Sequence, residues 1–403
     1  MEETSGIIYR PLYMEKIKPF IGKNLIKVIT GQRRVGKSYI LKSIIEDLKG
    51  KNPDMNFIYL NLEDFAFSHI KDYEDLYREI TSRLSTTAKN CILIDEIQEV
   101  KDFEKTIRSL NLDDKNDIYI TGSNSKMLSS ELSTLLAGRT YEMKIHPLTY
   151  KEFLYFHNKK DSEETIKEYL QYGGLPFLIH LPDSKTWNEY LSGVADAIIY
   201  RDIVSRHSLR NNDFLQRLLL FVADNIGQLF TAKRITDYLK SQKINSSVTG
   251  VQNYISYLEE ALVLNKVRRW DIDGKRFFEI GEKLFFEDLG IRNSIIGYRP
   301  QDISGLLENA VYNQLTATGH KVKVGVGEKD REIDFVAEKD GEIKYIQVAL
   351  SLARDKTMER EFGNLEAIKD NYEKLVITYR DSYPNSHNGI KAISLREFLL
   401  MEE

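Results

Sequence analysis

Cysteine is all but absent from this chain: Cys91 is the only one in 403 residues. A single thiol excludes internal disulfides and thiolate metal sites, and its place inside an apolar stretch reads as a buried structural group. Also missing is any apolar run long enough to span a bilayer, and no basic-then-apolar segment leads to a small-residue cleavage site. The expectation is a cytoplasmic chain with no membrane partner. A strong net charge is lacking too, but the total of −4 hides an uneven spread. Between Ser205 and Ile280 stand twelve Lys or Arg against eight Asp or Glu, so a middle of +4 sits within a remainder of −8. At this length one ordinary core does not suffice, and two to four domains are expected.

What is present is a phosphate-binding phrase. Gly31-Gln-Arg-Arg-Val-Gly-Lys-Ser38 fits G-x-x-x-x-G-K-[ST], with an apolar strand pattern over residues 25–30 before it and helical spacing over 39–48 after it. The loop therefore joins a strand to a helix N-terminus, where backbone N–H groups and the positive end of the helix dipole can cradle a polyphosphate. Side chains at the two glycines would block that approach. Lys37 is expected on the β- and γ-phosphates of ATP and the Ser38 hydroxyl on Mg²⁺. The whole cradle is read as Gly31, Arg33, Arg34, Val35, Gly36, Lys37, Ser38 and Tyr39. The bland alternative is a structural glycine-rich turn.

Residues 56–62 and 91–94 read as further strands with helical sequence between them, and such alternation implies a parallel sheet covered on both faces. Asp95 and Glu96 close the third strand, 57 positions after Ser38. A solvated strand end looks the same in isolation. Inside this α/β unit, Asp95 suits holding Mg²⁺ through its water shell and Glu96 suits polarising the attacking water. A fourth strand over 117–121 runs into Gly122-Ser-Asn-Ser125, at the sheet edge where open α/β sheets bind ligands. There Ser123 or Asn124 could hydrogen-bond the γ-phosphate or the lytic water, or could cap a helix over 126–136. Leu136-Ala-Gly-Arg139 and a fifth strand over 140–145 follow.

The run Thr30 to Ser38, with Ile94-Asp-Glu-Ile-Gln98, Thr121-Gly-Ser-Asn-Ser125 and Leu136-Ala-Gly-Arg139, resembles prokaryotic AAA-type ATPases that carry a C-terminal domain of unknown function numbered 4143. The resemblance continues through Gly173-Gly-Leu-Pro176, Arg201-Asp-Ile203, Asp288-Leu-Gly-Ile-Arg292 and Leu307-Glu-Asn309 to Phe398-Leu-Leu400. It implies an α/β fold: a P-loop AAA+ ATPase core over 1–146, a helical lid over 147–205, a winged helix-turn-helix over 206–290 and a restriction-endonuclease-like domain over 291–403. Under it, Arg139 stands where such ATPases place the arginine finger that completes a neighbour's site. That role requires self-association into a ring or spiral, a hexamer by analogy. A surface arginine beside a helix-ending glycine is the plain alternative, and Arg108 or Arg206 could cross the interface instead. Arg201 could reach a phosphate as a sensor-2 residue or pair with Asp202.

The basic middle has its own pattern. Residues 214–226, 231–240 and 246–264 read as three helices and 265–278 as a hairpin around Asp273-Gly274, which together describe a winged helix. On the third helix Val248, Val251, Ile255, Leu258 and Leu262 make a core face, opposite Thr249, Gln252, Asn253 and Ser256. Short polar groups suit a DNA major groove, and Lys266, Arg268, Arg269, Lys275 and Arg276 on the wing could neutralise phosphates. Glu259 and Glu260 would repel DNA, and winged helices also bind proteins. The last hundred residues read as helix 306–318, then strands over 321–326, 332–338 and 343–350, a helix, and a strand over 374–378. That order resembles the PD-(D/E)XK nuclease fold, in which a helix acid, a strand Asp and (D/E)-x-K hold Mg²⁺ and activate water. Glu308 and Asp334 stand at the first two places, but the third reads Gln347-Val348-Ala349, so nuclease activity is not expected. The function expected is ATP hydrolysis coupled to binding and remodelling of, or translocation on, duplex or branched DNA. The alternative is a nucleotide-gated switch whose tail binds a protein.

Overall fold

The computed structural model describes residues 7–125, 134–136, 138–209, 212–274, 276–327, 331–380 and 385–401. Contacts sort the chain into two compact units, residues 1–145 and 146–403.

The first unit is built on five parallel strands: β1 (Ile26–Gly31), β2 (Asn56–Asn61), β3 (Asn90–Asp95), β4 (Asn116–Gly122) and β5 (Thr140–Ile145). Their order across the sheet is β2-β3-β4-β1-β5. Every position of β1, β3 and β4 is buried, which is why these segments read as unbroken apolar runs rather than alternating ones. The helices α1 (Pro11–Ile17), α2 (Lys37–Lys51), α3 (Tyr73–Thr81) and α4 (Phe103–Leu110) connect or flank them. Ile92, Ile94, Ile118 and Ile120 of the central strands pack with Leu76, Ile80 and Ile107 of α3 and α4 into one apolar cluster. All five strands lie within two residues of the expected spans. The helix expected over 126–136 falls largely outside the described residues. Because β4 lies between β1 and β3, the loops leaving these three strands emerge side by side at one edge.

The second unit holds a helical part and a nine-stranded sheet. Helices α5 (Tyr150–Phe156), α6 (Glu163–Tyr172) and α7 (Ser184–Ala197) lead into a π-helix, Ile198–Ser205. Next come α8 (Asn212–Asp224), β6 (Leu229–Phe230), α9 (Ala232–Ser241), α10 (Val248–Glu260) and the hairpin β7 (Leu264–Asp271) and β8 (Arg276–Phe286). Then follow α11 (Leu289–Ile296), α12 (Ile303–Ala317), β9 (Lys321–Val326), β10 (Glu332–Lys339), β11 (Glu342–Ala349), α13 (Asp355–Glu366), β12 (Glu373–Thr378), β13 (Ser386–His387), β14 (Ile390–Ser394) and α14 (Leu395–Leu400). The sheet order is β13-β14-β12-β11-β10-β9-β7-β8-β6.

The hairpin differs from the expected wing. β8 runs eight residues past Phe278, and β7 pairs in parallel with β9 through Arg269–Asp271 against Val324–Val326. The expected division at residue 290 falls inside α11, and the strands on either side of it share one sheet. The expected third helix is shorter, since Leu262 takes a left-handed backbone (φ 55°) beyond its end. Val251, Ile255 and Leu258 are buried as expected, whereas Val248 at the helix start is exposed.

Two of the phrases singled out in the sequence meet inside this unit. Asp288 caps α11 by accepting from Ile291 N–H at 2.9 Å, and its other oxygen accepts from Gly174 N–H at 2.7 Å. A Cβ on Gly173 would lie 2.4 Å from that carboxylate, and one on Gly174 would lie 2.3 Å from the Leu148 carbonyl oxygen. Backbone cannot retreat as a side chain tip can, so Gly174→Ala should cost about 3 kcal/mol in a urea titration. Gly193, exposed inside α7 with nothing within 4 Å of its would-be Cβ, makes the control. Gly193→Ala should gain up to about 1 kcal/mol from helix propensity, and equal effects at the two positions would contradict this packing.

Candidate nucleotide site

The loop after β1 turns into α2 through backbone angles that few residues adopt. Arg34 has φ 71° and Gly36, capping α2, has φ 99°. At Gly31 a Cβ would lie 2.4 Å from the Ile145 carbonyl oxygen and 2.9 Å from Val35 Cγ2, so the loop is threaded against β5 by the absence of a side chain. Arg10, just ahead of α1, is buried and donates from Nη1 to the Val35 carbonyl at 3.1 Å, holding the loop from behind. Thr30 Oγ1 and both polar atoms of the buried Gln32 carboxamide have no hydrogen-bond partner among the described residues.

Lys37 begins α2 and its side chain is nearly closed off from solvent. Its ammonium donates to the carbonyls of Gly31 at 3.1 Å and Gln32 at 3.3 Å, and lies 3.4 Å from Glu96 Oε1. Ser38, the next residue, is half-buried. Arg33 pairs with Glu63 at 3.4 Å, while Arg34 and Tyr39 are exposed.

The acids follow from strand register. β3 pairs with β4 so that Ile94 faces Ile120, which makes Asp95 and Thr121 neighbours, and β2 brings Tyr59 to the same face. Thr121 Oγ1 donates to Asp95 Oδ1, and the Tyr59 hydroxyl donates to Oδ2 at 3.2 Å. Thr121 Oγ1 also accepts the Glu96 N–H at 3.0 Å, while Glu96 takes a left-handed backbone, φ 56°. That turn throws the Glu96 carboxylate toward the loop. There Oε2 accepts from Ser123 Oγ at 2.8 Å and from Gln98 Nε2, with Lys37 on Oε1. Burial alone would raise the Glu96 carboxyl, but Lys37, Gln98, Ser123 and Arg33 outweigh it and hold it below its ordinary value.

Lys37, Asp95, Glu96 and Ser123 thus converge, and Asn124 is buried next to Ser123. Arg139 stands exposed one residue before β5, after Gly138 at φ 67°. Sequence reading missed Thr121 and Tyr59 as the groups that orient Asp95, and missed Arg10 altogether. Thr121 was visible within its phrase, but its role depends on the β3–β4 register.

In the second unit, Arg201 lies in the π-helix and is exposed, with Asp202 buried beside it. Thr249, Gln252, Asn253 and Ser256 on α10 are all exposed. The wing bases are less free than expected. Lys266 lies 3.3 Å from Glu259 and 3.9 Å from Glu282, and Arg268 lies 4.0 Å from Glu282. Lys275 falls outside the described residues. Glu308 and Asp334 come together, and each pairs with Lys283 of β8, at 2.8 and 3.3 Å.

Comparison with known proteins places the chain in a class and then in a family. Residues 23–154 match the family model described as AAA domain, so that segment is an AAA-type domain. Residues 163–302 match the domain of unknown function DUF8612, which crosses the expected division at 205 and runs into the segment 291–403 that was expected to be nuclease-like. An "Uncharacterized protein" of Haemophilus influenzae is 36% identical over 403 residues, 98% of this chain and 100% of that one. MJ1544 of Methanocaldococcus jannaschii is 32% identical over 377 residues, 89% and 83% of the two chains. The chain belongs to the family of these two proteins. Among solved structures, AMPPCP-bound DnaA from Aquifex aeolicus aligns with a TM-score of 0.32 at 17% identity, over 62% of this chain and 88% of that one. The Aeropyrum pernix ORC1 protein in complex with DNA aligns at 0.31 and 13%, over 73% and 94%. Likeness at that level carries no argument about function.

Replacing Thr121 by Val keeps the shape but strands the Glu96 N–H and one Asp95 oxygen in the interior. The expected cost is about 1–3 kcal/mol by urea titration, largely restored in Thr121→Ser. Equal stability of Thr121→Val and the parent would contradict the role given to this hydroxyl.

Proposed function

We propose that the chain is an ATP-hydrolysing AAA+ protein that self-associates and couples nucleotide turnover to binding and remodelling of, or translocation on, duplex or branched DNA. The observation that carries the ATPase reading is the meeting of Lys37, Asp95, Glu96 and Ser123 at the mouth of a loop whose backbone takes left-handed angles at Arg34 and Gly36. The residues present fit ATP and Mg²⁺. The unpartnered Gln32 carboxamide, the side-chain-free turn at Gly31 and the start of α2 supply polar groups for phosphates. Ser38 and Asp95 would hold the metal, which shields phosphate charge and polarises the terminal phosphoryl group. Lys37 neutralises charge on the phosphates. Glu96, kept ionised by its neighbours, orients water and takes its proton, and Ser123 fixes the direction of that carboxylate. Asn124 is the sensor beside it, and Arg139, exposed on the same unit, is the residue that completes a neighbouring subunit's site.

The DNA part rests on the exposed polar face of α10 within the basic segment. One observation favours the second reading, a nucleotide-gated switch whose tail binds a protein: Lys266 and Arg268 are already neutralised by Glu259 and Glu282. The resemblance of residues 291–403 to a nuclease-like domain belongs to this proposal, with Gln347 and Ala349 arguing against cleavage.

Steady-state phosphate release with single-stranded, duplex and four-way-junction DNA tests the proposal, run beside Glu96→Gln and Arg139→Ala. DNA should raise the rate, with the effect falling steeply as salt rises. Glu96→Gln should lower it about 100-fold or more, as loss of a general base does. Arg139→Ala should match that loss only under conditions where the chain oligomerises. A rate that ignores DNA at every salt concentration, with assembly triggered by a protein instead, would replace the first reading by the second.

A further inference from the structure

Lys283 is one of the enclosed charges of the second unit, only 3% exposed at its side chain. It sits on β8, beyond the point where the hairpin was expected to end. Three carboxylates surround its ammonium: Glu308 of α12 at 2.8 Å, Glu332 at 2.8 Å and Asp334 at 3.3 Å, the last two on β10. The ammonium donates hydrogen bonds to Glu308 and Asp334 and forms an ion pair with Glu332.

The acids are themselves held in place. Asp334 Oδ2 accepts the Val348 N–H at 2.9 Å. Gln347 Oε1 accepts the Asp334 N–H at 2.8 Å, and its Nε2 donates to the Glu332 carbonyl at 3.2 Å. Gln347 therefore clamps β10 to β11 where a carboxylate would have added a further negative charge. Gly227 closes the other side, with its would-be Cβ 3.1 Å from Glu308 Oε2. Burial pushes the Glu308 carboxyl up, against the pull of Lys283. Glu361 of α13 lies near, paired with Arg360.

Carboxylates converging from a helix and a strand are the donor set that binds a divalent ion through oxygen. Such an ion would need oxygens that the Lys283 ammonium already engages, and two cations competing for the same lone pairs at this distance repel each other. Among the described residues no group of three or more His, Cys, Asp or Glu is arranged to hold a metal.

We propose that Lys283 is the resident cation of this acid cluster: its ammonium fills the place a divalent ion would take, and so keeps the last hundred residues from acting as a metal-dependent phosphodiester hydrolase. The same contact ties β8 to α12 and β10, so that the charge which closes the site also fastens the hairpin to the C-terminal sheet. The proposal rests on the nuclease-like reading of residues 291–403 and is independent of the nucleotide reading, because it concerns residues that take no part in that site.

The test is Mn²⁺ titration of the full chain without nucleotide, following free Mn²⁺ by electron paramagnetic resonance, with incubation of linear and branched DNA in parallel. Asp334→Asn should leave the Mn²⁺ binding of the parent unchanged. Lys283→Met should bind one additional Mn²⁺ at least about tenfold more tightly than the parent, and Lys283→Met/Asp334→Asn should lose that gain. If Lys283→Met does not fold, Lys283→Gln asks the same question, since it removes the charge, keeps all three acids and leaves a hydrogen-bond donor in the cavity. If neither folds, the comparison of the parent with Asp334→Asn decides alone. Mn²⁺ binding or DNA cleavage by the parent that vanishes in Asp334→Asn would overturn the proposal. So would a folded Lys283→Met that gains no affinity for Mn²⁺.

Discussion

The first unit turns on the buried contact between Lys37 and Glu96. Two charges of opposite sign, one at the start of α2 and the other at the end of β3, meet at 3.4 Å with little solvent between them. Removing one partner would leave the other charged and buried, a loss of about 3–5 kcal/mol in comparable pairs. That cost makes the loop, the strand end and the Ser123 turn interdependent. It also makes the pair responsive: an anion placed against Lys37 competes with Glu96 for the same ammonium. The carboxylate freed in this way remains aimed by Ser123 and Gln98, which is the arrangement a water-activating base requires.

A second buried lysine organises the other unit by the same physics with the opposite outcome. Lys37 is held by two backbone carbonyls and one acid, so a polyanion can add to its surroundings. Lys283 is saturated by three acids, and a metal can enter only by displacing it. In the proposed reading, one site is open to a ligand and the other is closed by its own side chain. Between them the chain carries α10 with its polar face exposed, on a hairpin that is part of the C-terminal sheet rather than a free wing.

Much of this was legible in the sequence, for reasons that can be named. Strands β1, β3 and β4 of the first unit are buried on both faces, so they read as apolar runs, and the phosphate loop and the two acids sit at the ends of such runs. The spans of β9, β10 and β11 were equally clear, each within two residues. Roles that depend on register were not legible. Thr121 reaches Asp95 only because β4 lies against β3, and nothing in the spacing says that Tyr59 faces the same carboxylate. Lys283 was hidden for a related reason. The apolar pattern of the hairpin breaks at Gly281-Glu282-Lys283, which reads as an ending, and its hydrogen-bonded partners lie 25 and 51 positions away. A lysine supplied from one segment to acids in two others leaves no local trace.

The account stands most directly on whether the Lys37 ammonium is a phosphate-binding group. Isothermal titration of Mg²⁺–ATP into the purified chain and into Lys37→Ala measures this without any assumption about DNA or assembly. Binding at or below about millimolar concentration by the parent, weakened at least tenfold in Lys37→Ala while ADP is affected less, is the predicted result. No binding by a folded parent chain, or equal binding by both proteins, would contradict the account.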